Sequence, residues 1–124
     1  MKKILLLLFC MPFLMATSCE DDSEELIFCT TEYVYGLKVT VKDAQTNLNL
    51  TTGVTVTAVD GSYSENLELL EFNDYFIGAG ERPGNYIITV SKSGYQTFTT
   101  NTITLTADVC HVIPQQLVIE LTPL

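Results

Sequence analysis

The chain is 124 residues long, with 15 acidic residues against 6 basic ones and a formal net charge of −9 at pH 7. That balance repels phosphate backbones, and no basic stripe offsets it, so nucleic acid is excluded as a partner. A single histidine and the lack of a glycine-rich strand-to-helix turn give no reason to expect a His-rich zinc cluster, a nucleotide or any other cofactor.

The first element is a leader. Met1-Lys2-Lys3, an apolar run from Ile4 to Met15 and the small residues Ala16-Thr17-Ser18 make a secretory signal too short to span a bilayer. Two cleavages fit it. The small residues directly before Cys19 resemble the lipobox of bacterial lipoproteins, in which Cys19 is acylated and becomes the first mature residue, although Ala16 stands where that motif usually carries leucine. Ala16-x-Ser18 also satisfies the small-x-small rule of ordinary signal peptidase. Cysteine arithmetic favours acylation: Cys10 leaves with the leader, and lipidating Cys19 leaves Cys29 and Cys110 as a pair. Residues 1–18 are therefore read as a lipoprotein signal peptide, with the membrane as partner through a lipid anchor at Cys19.

Residues 19–29 form an acidic lipid-anchored tether, in which Glu20-Asp21-Asp22-Ser23-Glu24-Glu25 has the composition of a solvated, disordered spacer. Cysteine followed by acidic residues also resembles the surface-export signal of lipoproteins from Bacteroidetes-type bacteria. That implies an outer-membrane location, with display outside the cell as the alternative to a plain spacer.

Residues 30–124 carry period-two alternation with no sustained helical pattern. Tyr33, Tyr35, Leu37, Val39 and Val41 share one face of a strand, and Val34, Lys38, Thr40 and Lys42 the other. A second strand, Val54 to Val59, points Val54, Val56 and Ala58 inward and ends at an Asp60-Gly61 turn. Leu67 to Phe72 and Tyr75 to Ile77 read as two strands around Asn73-Asp74, with a short helix over Glu65 to Glu71 as the competing assignment. Gly78 to Gly84 is a loop by composition. Beyond it Tyr86, Ile88 and Val90 alternate, Lys92-Ser93-Gly94 turns, and Tyr95 to Thr99 and Thr102 to Thr106 follow as a pair or one bent strand. The last strand, Val112 to Leu121, has Leu117, Ile119 and Leu121 inward and Pro114 at an edge or bulge. Some seven short strands in this length indicate an all-β, antiparallel, Ig-like β-sandwich.

Cys29 and Cys110 each lie just before a strand. If the first and last strands run parallel side by side, the two sulfurs meet and close a loop of about 80 residues, stabilising by on the order of 4 kcal/mol in the chain-entropy model. Pairing is the expected fate of two cysteines in an oxidising compartment.

Pro83-Gly84-Asn85-Tyr86, the strand after it and then Gly94-Tyr95 resemble the carboxypeptidase regulatory-like domain, a transthyretin-like β-sandwich. Leu37 to Val41 followed by Asp43, and Gly53-Val54-Thr55-Val56, look like that family's first two strands. Between Asp60 and Ala79 the chain departs from it, with a longer and more acidic hairpin. The resemblance implies a non-catalytic adjunct or binding module, with an envelope protein or a glycan as partner and an exposed edge strand as one route to it.

Chemistry is thinly signalled. Cys110 and His111 are adjacent, and neighbours in an extended strand point to opposite faces, so His111 reads as structural or surface rather than catalytic. Asp60, Glu65, Glu68, Glu71 and Asp74 crowd one stretch, which leaves a small carboxylate-dependent hydrolase or a calcium-stabilised adhesion unit as alternatives to a solvated acidic face. No catalytic or metal-ligating residue is assigned. The hairpin and loop from Asn73 onward hold the candidate recognition residues Tyr75, Phe76, Glu81 and Arg82.

Overall fold

Alternating side chains bury one face of a strand and cannot bury one stripe of a helix. The computed structural model describes residues 27–124, and these are all β with no helix among them. The expected signal peptide, the expected acylation at Cys19 and the acidic run through Glu25 lie outside the described residues.

Nine strands are formed: β1 Tyr35–Asp43, β2 Thr55–Asp60, β3 Tyr63–Asn66, β4 Glu68–Leu70, β5 Tyr75–Gly80, β6 Gly84–Ser91, β7 Phe98–Thr99, β8 Ile103–Leu105 and β9 Gln115–Leu121. One sheet has the order β4-β5-β1-β9; the other runs β3-β2-β6-β7, with β8 also paired to β6. Leu37, Val39, Val41, Phe76, Ile119 and Leu121 from the first meet Val56, Ala58, Tyr86, Ile88 and Val90 from the second in one core, the arrangement of two facing sheets.

The observed strands differ from the expected ones in several places. The described residues make nine strands rather than seven: Gly61-Ser62 returns β2 onto β3, a strand not expected, and Leu67 is buried where the chain passes from one sheet to the other; of the two readings of the stretch after Tyr95 the strand pair holds, as β7 and β8, both against β6. The sandwich is mixed rather than antiparallel, because β9 lies parallel to β1 with Leu37 opposite Gln115 through to Asp43 opposite Leu121. The stretch from Gly78 to Gly84 is not all loop, since Gly78, Ala79 and Gly80 complete β5.

Those glycines are packing residues. A Cβ on Gly78 would stand 2.7 Å from Leu67 Cγ, and one on Gly80 would run into the Tyr33 ring. Tyr33 and Tyr35, placed by alternation on the face of Leu37, Val39 and Val41, are 60% and 37% exposed, and meet each other edge-on with ring centroids 5.2 Å apart. The helix considered over Glu65 to Glu71 is replaced by β3 and β4.

Candidate functional site

Glu81 and Arg82 follow each other in the β5–β6 connection, and their side chains serve different parts of the molecule. Glu81 sits in the left-handed region at φ 49°. Its carboxylate accepts the Val34 N–H at 2.8 Å, the His111 Nδ1–H at 2.7 Å and the Val112 N–H at 3.2 Å, which joins the segment before β1 to the segment before β9. The Val34 amide is the main reason its pKa lies below the ordinary glutamate value, with His111 and Val112 adding to it. On the far side of the imidazole, Nε2 and the Thr30 hydroxyl are hydrogen-bonded at 2.9 Å.

Next to this array Asp108 accepts the N–H groups of Cys110 and His111, each at 2.8 Å, and these bonds lower its pKa. Cys29 and Cys110 are disulfide-bonded there, with a Cα–Cα distance of 5.2 Å. The parallel β1–β9 pair places the two half-cystines at one end.

Arg82 turns toward the other sheet. It donates to Asp60 Oδ2 at 3.0 Å and to the Tyr86 hydroxyl at 2.9 Å, and its guanidinium stacks 3.7 Å from the centroid of the Tyr63 ring. The Tyr86 hydroxyl in turn donates to the Arg82 carbonyl at 2.8 Å, which satisfies a phenol whose ring is fully buried. The hydrogen bond to Tyr86 first, and then that to Asp60, raises the Arg82 pKa.

A second region lies on the outer face of the β4-β5-β1-β9 sheet. Lys38 and Thr40 of β1, Tyr75 of β5 and Gln116, Leu117 and Val118 of β9 line a groove of about 300 Å³. A neighbouring groove of about 330 Å³ shares Lys38 and Tyr75 and adds Tyr33, Tyr35, Leu70, Ile77 and Pro114, with Glu32 and Val34 at its margin. The Lys38 ammonium lies 5.8 Å from the centroid of the Tyr75 ring. Rings interleaved with hydrogen-bonding side chains on an open surface stack on a flat ligand and fix its orientation.

The four residues singled out as a recognition loop are thus separated. Tyr75 joins both grooves, whereas Phe76 is only 3% exposed and packs in the core, which corrects its assignment as a recognition ring. Adjacent strand residues face opposite ways, and Val39, the partner of Phe76 in register, is an inward residue. Glu81 and Arg82 are held in structural networks.

The acidic residues that crowd together in sequence are also dispersed. Asp60 binds Arg82, Glu65 accepts the Ala79 N–H at 2.6 Å, Glu68 lies on β4, and Glu71 and Asp74 are exposed in the β4–β5 turn. Among the described residues no group of three or more His, Cys, Asp or Glu is placed to hold a metal.

Two features were missed. The Thr30–His111–Glu81 chain joins residues far apart in sequence, and no local pattern marks it. It has the connectivity of a hydroxyl, an imidazole and a carboxylate, and because the carboxylate also accepts two backbone amides it ties the segments before β1 and β9 together beside the disulfide. For the tyrosine face the sequence singles out only Tyr75, because the alternation of β1 puts Tyr33 and Tyr35 on the same face as the core residues Leu37, Val39 and Val41. No family model matches the chain, and neither does any curated protein.

Proposed function

We propose that this chain is an exported, non-catalytic lipoprotein of the outer membrane, anchored through Cys19, whose residues 30–124 form a transthyretin-like adjunct resembling the carboxypeptidase regulatory-like domain. It serves as a binding module for an envelope protein or glycan. The observation that carries the binding role is the outer face of the β4-β5-β1-β9 sheet, where two adjoining grooves share Tyr75 and Lys38 and take in Tyr33 and Tyr35. A disulfide supports export, because such bonds persist in oxidising compartments. The lipobox-like residues before Cys19 support the anchor, and the acidic residues after it support display at the cell surface as the alternative to a plain spacer.

Two measurements test this reading. Intact-mass spectrometry of protein extracted from membranes is expected to show an acyl adduct at Cys19 and the loss of two hydrogens at the Cys29–Cys110 bridge; an unacylated, water-soluble mature form refutes the anchor. Binding of envelope oligosaccharides and envelope protein fractions is expected to fall roughly tenfold in Tyr75→Ala, the loss of one stacking ring, while the melting temperature barely moves. Unchanged binding in that variant refutes the assignment of the face.

A further inference from the structure

Sheet edges differ in how much unpaired backbone they present, and short edge strands present little. In this protein β4 has three residues, β3 four and β7 two, whereas β9 runs seven residues in unbroken register with β1. Within a strand, alternate residues direct both backbone polar groups to the same side. The Leu121 carbonyl accepts the Ala44 N–H at 2.9 Å on the β1 side, so Leu117, Ile119 and Leu121 face β1. Gln116, Val118 and Glu120 therefore direct their N–H and C=O groups to the opposite side, where no described residue pairs with them.

Just beyond, the same edge is in use. The Gln96 N–H donates to the Thr122 carbonyl at 2.9 Å, the Leu124 N–H donates to the Gly94 carbonyl at 3.0 Å, and Tyr95 and Pro123 form an antiparallel bridge. This edge already accepts extended backbone from Thr122 to Leu124, and the cover stops short of Glu120. The ligand chemistry that continues such a ladder is another extended peptide.

We infer that the Gln116–Glu120 edge of β9 is a β-addition site for an extended, basic segment of a partner protein. The inference rests on the binding-module reading above and names its partner class. Val118, 64% exposed at the middle of the edge, favours a β-branched residue across from it, and Glu120 favours lysine or arginine. Lys42 lies in register with Glu120 on β1 and offsets part of that preference. At longer range the net charge of −9 draws a basic partner and opposes a second copy of the chain. Side chains of the added strand that lie on the outer face reach the groove lined by Gln116, Val118, Lys38 and Tyr75. Main-chain bonds supply the affinity and these side-chain positions the selectivity.

The probe is a blocked seven-residue peptide with lysine at each end and alternating threonine and valine between, added to the full-length, disulfide-bonded protein labelled with ¹⁵N. Amide exchange at Gln116, Val118 and Glu120 is expected to slow roughly tenfold at saturating peptide. Val118→Pro removes an N–H that β1 does not use, so it is expected to keep the fold and abolish the protection. Should that variant unfold, Val118→Lys retains the amide, places a charge at mid-edge and is expected to weaken binding of the same peptide. Glu120→Lys weakens it by about threefold.

Absence of slowing at millimolar peptide overturns the proposal. So do edge amides already protected without peptide, or protection that grows with protein concentration alone. A glycan that shifts the Tyr75 face without protecting the edge leaves the adjunct reading intact and sinks this one.

Discussion

Glu81 and Arg82 show how much two adjacent side chains can tie together at the end of a sandwich. Glu81 reaches two segments of the first sheet, while Arg82 reaches the β2–β3 hairpin and the buried Tyr86. Because the Glu81 pKa is lower folded than unfolded, its contribution is fully present above the ordinary glutamate range and is lost as pH falls through the depressed value. Asp43 follows the same sign: the Tyr95 hydroxyl, donating at 2.6 Å, is the main cause of its lowered pKa, and the amides of Gln45 and Thr46 add to it. Glu81→Gln is therefore expected to melt several degrees lower at neutral pH and to lose less on acidification than the parent. Melting curves across the acidic range check this, and parallel rather than converging curves contradict it.

At the scale of elements, β5 is where pattern and packing part. Tyr75 and Phe76 look equivalent as aromatic residues beside a turn, but the pleat sends one to the grooves and the other to the core. Phe76→Ala is expected to cost about 3–5 kcal/mol, the range for emptying an aromatic core site. Gly78→Ala is expected to cost about 1–3 kcal/mol, since the new methyl group meets Leu67 Cγ at 2.7 Å and cannot be accommodated without displacement. Urea unfolding measures both, and a neutral Gly78→Ala would show that Leu67 moves freely.

The strands around β5 differ in how plainly the sequence announced them. β1, β2 and β6 were legible because each alternates over six or more residues, and burial follows that alternation in Leu37, Val39, Val41, Val56, Ala58, Tyr86, Ile88 and Val90. β3 was not, because four residues carry no measurable period, whereas β7 and β8 fall within the two stretches, Tyr95 to Thr99 and Thr102 to Thr106, that read as a strand pair. Gly78-Ala79-Gly80 read as loop because glycine marks turns as a rule, whereas here the absence of a side chain lets Leu67 and Tyr33 lie against the strand.

For the whole molecule, the bond between Cys29 and Cys110 spans 81 residues and so encloses nearly all of the described fold. Replacing both cysteines by serine is expected to lower stability by about 4 kcal/mol in the chain-entropy model, read as a shift in the denaturation midpoint relative to the oxidised parent. A double variant of unchanged midpoint would mean that the Glu81–His111 clamp and the β1–β9 ladder hold the two ends together unaided.

The cysteine count, the apolar run from Ile4 to Met15, the alternation of the long strands and the acidic balance are local or additive properties, and the residues alone determined them. The parallel placement of β9 beside β1, the outward tyrosine face, the meeting of Thr30, His111 and Glu81, and the open edge from Gln116 to Glu120 were decided by the tertiary structure. Each depends on which strand lies next to which, and that is settled by burying two sheet faces against each other over separations that no short window of sequence records.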